Sequence, residues 1–212
     1  MTLSTKDLYA YSDAEIGNFL AGHGFVIDGP GTYERRGTDG TDRIVIDPLK
    51  GQTFQVLLSY FPQYLDVLRT LAPKEETQGF PVGPYLSPHT VSSRSRSWSF
   101  KTAAAMERSI GEVRVALGVV GIPWLARLRE PNFYLSQVTP YAEIVRALSA
   151  ERAGELDIAR AALEEMYRRY KMIHEQSPHR MPEHMAKGFI FVAEKLDRDP
   201  ELRRELASRL KS

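Results

Sequence analysis

The stretch Asp42-Arg43-Ile44-Val45-Ile46-Asp47-Pro48-Leu49-Lys50-Gly51-Gln52-Thr53-Phe54-Gln55-Val56-Leu57-Leu58-Ser59-Tyr60 decides the fold. Its first six residues hold a β-branched centre, Ile44-Val45-Ile46, and end at Pro48. Its last nine begin by alternating polar and apolar side chains, then turn apolar on both faces, as a buried strand does. Pro48-Leu49-Lys50-Gly51 between them is turn chemistry. Upstream, Thr32-Tyr33-Glu34-Arg35-Arg36 reads as a shorter strand, separated from the next by Thr38-Asp39-Gly40-Thr41. Neither gap has room for a crossover helix, so the three strands form an antiparallel meander.

Working outward, Ser12 and Glu15 have capping-box spacing, and Ile16, Phe19 and Leu20 make an apolar stripe that Gly22 and Gly24 stop. This predicts a helix over about 13–22. Pro62, Tyr64, Leu65, Leu68 and Leu71 predict a short helix closed by Pro73. Residues 74–96 are rich in Pro, Gly and Ser and read as a long surface loop, a length that usually carries function. Ser97-Trp98-Ser99-Phe100 alternates and predicts a fourth strand.

Beyond residue 101 the period changes. Met106, Ile110, Val113, Leu117 and Val120 step by three or four, until Pro123 interrupts. Further helices are predicted over 140–148, over 156–173, over 185–196 and from Pro200 onward, where Asp199 has N-cap character. The clearest periodicity is Leu156, Ala159, Leu163, Met166, Tyr170 and Ile173. Thirteen of the 15 glycines lie at or before Gly121. The expected architecture is therefore α+β. A small, mainly antiparallel sheet is packed by helices in a domain over 1–130, and a C-terminal helical bundle follows over 131–212.

Composition narrows the chemistry. The 212 residues carry 28 Lys+Arg against 27 Asp+Glu, a formal charge of +1, so no general attraction to nucleic acid follows. Without cysteine, disulfides, thiolate metal sites and a cysteine nucleophile are excluded. The uncharged stretch between Arg114 and Arg127, as long as any in the helical half, falls short of the ~20 residues that span a bilayer. No secretory signal is expected, no membrane association either, and the expected location is cytoplasmic.

Candidate sites are few. His174, His179 and His184 recur every five residues, which does not place them on one helical face, and Pro178 and Pro182 interrupt them. No metal or cofactor site is expected, and no catalytic residue is assigned. Glycine-rich phosphate cradles and a Gly-x-Ser-x-Gly elbow are absent from the sequence. In the 74–96 region, Phe80, Tyr85, Arg94 and Arg96 are the residue types that anchor protein interfaces, and Trp98 beside them either stacks a ligand or fills the core. Arg35, Arg43, Tyr60 and His89 would matter if a pocket opened between sheet and helices. Arg94, Arg96, Arg168, Arg169 and Lys171 would matter for nucleic acid.

An opening helix is followed by Gly24-Phe25, Tyr33-Glu34-Arg35, the strand Gln52–Tyr60, Arg96-Ser97-Trp98, a long helix and Gly121-Ile122-Pro123-Trp124-Leu125. This order resembles the bacterial family called domain of unknown function 4304, over about residues 13–130. Similar chains often have a cysteine before the arginine, which this one lacks. The resemblance implies an α+β fold and suggests the small proteins found near toxin and defence genes. The expected function is non-catalytic binding of a protein partner, with an immunity- or antitoxin-like role. The alternatives are a small-molecule site between sheet and helices, and nucleic-acid binding.

Overall fold

The computed structural model of the chain describes residues 3–71, 83–94, 96–138, 143–176 and 181–210. Their helices are α1 (Thr5–Ser12), α2 (Asn18–Ala21), α3 (Leu68–Leu71), α4 (Ala103–Ala116), α5 (Ile122–Arg127), α6 (Pro131–Gln137), α7 (Glu143–Ala153), α8 (Leu156–Gln176), α9 (Glu183–Lys195) and α10 (Pro200–Arg209). The strands are β1 (Val26–Gly29), β2 (Thr32–Arg36), β3 (Gly40–Leu49), β4 (Thr53–Pro62), β5 (Tyr85–Ser87), β6 (Thr90–Ser92) and β7 (Trp98–Ser99). The fold is α+β with a C-terminal helical region. It divides into two compact units, one from the described residues of 1–63 and 82–129, the other from those of 64–81 and 130–212.

The first unit holds the sheet, ordered β1-β2-β3-β4-β5-β6 and antiparallel throughout, with β7 also on β4. The meander is present, with Tyr33 opposite Ile44 and Ile44 opposite Leu58. β3 runs through Pro48 rather than stopping at it. Ile46 donates its N–H to Gly31 O at 2.8 Å on the β2 side. Residues two apart present their donors to the same neighbour, so proline's missing donor faces a side that β2 no longer reaches. Pro62 closes β4 instead of opening a helix, and a single 3₁₀ turn, Gln63–Leu65, precedes α3.

Two expectations are corrected in this unit. The first helix begins at Thr5, because Ser4 and Asp7 form the capping box: Asp7 N–H donates to the Ser4 hydroxyl and the Ser4 N–H to the Asp7 carboxylate. Ser12 lies inside the helix, fully buried, and donates to Tyr9 O. A π-helical stretch, Asp13–Gly17, continues it into α2. The second correction concerns 74–96. Residues 72–82 lie outside the described set, but 85–92 is a hairpin in which Leu86 opposes Val91 and Pro88-His89 makes the turn. Tyr85 joins it to the sheet opposite Leu57.

The long helix also outlasts Pro123. A second π-helical stretch, Leu117–Gly121, ends α4, and Pro123 falls in the first turn of α5, where no N–H is required of it. By length and composition this run, Ala103–Arg127, could cross a membrane; a core helix meets the same measure, and Ile110, Val113, Leu117 and Leu125 are buried.

The second unit is helical. α8 carries the longest stripe, burying Ala159, Ala162, Leu163, Met166 and Tyr167 against Phe189, Val192 and Leu206. The α7–α8 turn closes at Gly154 (φ 81), with Gly154 N–H on Glu151 O and Glu155 N–H on Ala150 O. That pair of bonds satisfies the last carbonyls of α7 and demands a left-handed residue, hence glycine. α6, which no periodicity announced, starts at Pro131 in its first turn.

Candidate functional site

The pleat of the sheet gives each strand two faces. Tyr33, Ile46, Leu58 and Leu86 lie on the face that the helices of this unit meet. That face also buries a charge: Asp42 is fully buried. Its Oδ2 accepts from Arg35 Nε at 2.7 Å and from Arg129 Nη2 at 2.8 Å, and Oδ1 from Arg129 Nη1 at 3.3 Å. Arg129 also meets Asp39 at 2.9 Å and lies 5.1 Å over the Tyr60 ring. Arg35 lies 4.7 Å over Phe25. Burial alone would lower the Arg129 pKa, but the hydrogen bonds and charge of Asp42 raise it, so the guanidinium stays charged. Burial raises the Tyr60 phenol, whose O–H donates to Asp39 O at 3.0 Å. With both oxygens of Asp42 engaged by arginine, this cluster is a structural clamp between β2, β3 and the end of α5.

The opposite face is read from the register. One row crosses the sheet as Thr32, Val45, Leu57 and Tyr85, then Ser92. Each of these side chains is half-buried. The next row is Val26, Glu34, Arg43 and Ser59. Glu34 is 3% exposed and ion-paired to both Arg43 and Arg36, the latter at 3.0 Å. Burial pushes the Glu34 carboxyl up, but the two arginines outweigh it and hold it below the usual carboxylate range. Gln55 donates to Asp47 at 2.5 Å on the same face. The result is a strip of aliphatic and phenolic groups beside a locked row of charges.

The residues singled out from sequence disperse accordingly. Tyr85 stands in the strip. Arg94 is exposed just past β6, its N–H on the Ser92 hydroxyl at 3.1 Å. Arg96, half-exposed, lies 5.9 Å over Trp98 and 3.9 Å from Glu112. Trp98 is in the core at 3% exposure, 5.9 Å from Phe54 and donating its indole N–H to Glu112 at 3.2 Å, so it offers no stacking face. Phe80 lies outside the described residues.

Arg35, Arg43, Tyr60 and His89 do not converge: Arg35 and Tyr60 belong to the Asp42 face, Arg43 to the opposite one, and His89 is exposed in the hairpin turn. On α8, Arg168 pairs with Glu165, Arg169 with Glu143 and Lys171 with Asp199. His23 and His89 are exposed, His174 and His184 half-buried on separate helices, and His179 lies outside the described residues. Among the described residues no three His, Cys, Asp or Glu side chains gather as metal ligands do.

Compared with known proteins, the chain matches no family model, no curated protein and no solved structure. The strip Thr32–Val45–Leu57–Tyr85 was missed in sequence because three of its members sit in strands whose alternate residues form the core. The register, once known from the turns, is the signal that finds it.

Proposed function

We propose that this chain is a non-catalytic protein-binding protein, and that it takes its partner along the sheet face opposite the Asp42 clamp. The observation that carries the reading is the row Thr32, Val45, Leu57 and Tyr85, four adjacent half-buried side chains from four strands. An antiparallel sheet facing water on one side alternates apolar-in and polar-out. Here the positions on the face opposite Asp42 include Val45, Leu57 and Tyr85, each half-buried, flanked by Arg43 paired with Glu34. Tyrosine and arginine around an aliphatic centre are what interface cores use, because they bury much area for little lost rotamer freedom. The partner that fits is a protein presenting an apolar ridge with polar flanks. Arg94, at the exit of β6, would lie at the rim. The immunity- or antitoxin-like role suggested by the sequence resemblance is the finer form of this proposal.

The test compares three tagged chains in native lysate of the source organism: the natural one, a Leu57→Lys/Tyr85→Asp variant, and Val119→Lys on an exposed helix position. All three are first checked for folding by circular dichroism. A partner held in stoichiometric amount by the natural chain and by Val119→Lys, and reduced at least tenfold by the strip variant, supports the proposal. A partner retained equally by the folded strip variant, or none retained by any chain, overturns it.

A further inference from the structure

The last helix is lightly anchored in the second unit. Of the ten residues of α10 only Leu206 is buried, against five each in α8 and α9. Leu202 and Leu210 are partly buried at the margin of the cluster built on Phe189 and Val192. Arg203 Nε is buried with no hydrogen-bond partner among the described residues, a donor that the docked position leaves desolvated. An open cleft of about 520 Å³ lies under the first turn, lined by Lys171, Asp199, Pro200, Glu201, Leu202 and Glu205.

The turn into α10 stores strain. Arg198 N–H bonds Ala193 O at 2.7 Å and Asp197 N–H bonds Glu194 O at 3.1 Å, the closure that glycine usually serves. Here the left-handed residue is Asp197 (φ 52), and Asp199, two positions on, is left-handed as well (φ 43). Asp199 makes no side-chain N-cap bond to α10. Its carboxylate is turned to α8 instead, accepting from Tyr167 O–H at 2.5 Å and from Lys171 Nζ at 3.4 Å. Arg198 donates to Glu164 at 2.7 Å and lies 5.1 Å over the Tyr167 ring. Two elements of α8, one turn apart, thus hold a strained turn that has little apolar packing behind it.

We propose that α10 is a latched arm: it undocks as a unit while α7, α8 and α9 stay folded, and the Tyr167–Asp199 hydrogen bond is the latch. The Tyr167 hydrogen bond also holds the Asp199 carboxyl below its ordinary pKa, as a bond to the ionised form must. Undocking withdraws Leu202, Leu206 and Leu210 from the cluster and uncovers apolar surface of the bundle.

Native-state hydrogen exchange on the full chain tests this, because locally opening segments exchange without global unfolding. In the natural chain, amides of 202–210 are expected to exchange faster than those of α8 and α9 and with one shared, smaller denaturant dependence than theirs, as a unit that uncovers only part of the buried surface does. Tyr167→Phe removes a hydrogen bond to a charged group and is expected to speed α10 exchange about tenfold or more, leaving α7 unchanged. Asp197→Gly, which relieves the left-handed strain, is expected to slow α10 exchange severalfold. The proposal is overturned if α10 exchanges together with α8 and α9, or if Tyr167→Phe accelerates every helix of the bundle alike.

Discussion

Replacing Asp42 by Asn isolates the clamp on the helix-covered face of the sheet. The substitution keeps the side-chain shape and removes the charge that neutralises two guanidiniums. Asp42 is fully buried, while Arg35 and Arg129 keep 24% and 29% of their side-chain surface exposed. Two short charge-assisted bonds, at 2.7 and 2.8 Å, lose their ionic partner. Bonds of this kind contribute about 1.5–3 kcal/mol each, and breaking a buried pair from one side costs about 3–5 kcal/mol. Partial hydration of the arginines returns some of this, so about 3 kcal/mol is expected. For a unit of this size that is a fall in Tm of roughly 12 °C or more. Both tryptophans of the chain, Trp98 and Trp124, belong to the first unit, so their fluorescence during urea or thermal unfolding reports on it selectively. Arg35→Met and Arg129→Met, singly and each combined with Asp42→Asn, complete double-mutant cycles, and a coupling above about 1 kcal/mol is expected in each. A loss below about 0.5 kcal/mol for Asp42→Asn, or additive cycles, would refute the reasoning.

Three further outcomes follow from the same unit. Gly40→Ala would set a Cβ 2.8 Å from the Tyr60 ring and 2.9 Å from Pro62 Cα, with the Phe61 carbonyl nearer still. Backbone cannot yield as a side chain tip can, so a loss of at least about 3 kcal/mol is expected by urea unfolding. Ser4→Ala removes the N-cap of the first helix and should lower stability by about 1 kcal/mol, read from the unfolding midpoint. Glu34 titrates lower in the folded chain than unfolded, so its contribution is complete above the ordinary carboxylate pKa of about 4.3 and disappears as pH falls through the depressed folded value. Glu34→Gln should therefore flatten the acid limb of the stability profile between about pH 5 and 3, while lowering the plateau at pH 7.

The meander was legible because its signals are local. Alternation over Gln52–Tyr60 and turn residues at 38–41 and 48–51 left one register in which Ile44, Ile46, Val56 and Leu58 share a face. The α7–α8 hairpin was legible for the same reason, through Gly154. What the sequence concealed depended on distance or on substitution within a motif. Asp7 does the work of the usual Glu in the Ser4 capping box, so the pattern at Ser12 drew the boundary eight residues late. In 83–94, the density of Pro, Gly and Ser masked a hairpin only three residues deep on each side. The Asp42 clamp needs Arg129, 87 positions away, and no periodicity links them. Asp199-Pro200 did mark a helix start, yet the carboxylate serves Tyr167 rather than its own helix, a role that only the packing of α8 beside the turn reveals.

Hydrogen exchange of the first unit, free and with its captured partner, bears most directly on the proposed function. On binding, amides of β3, β4 and β5 around Val45, Leu57 and Tyr85 should slow at least tenfold, while those around Val119 keep their free rates. Protection confined to the helices, with the strip unchanged, would contradict the account.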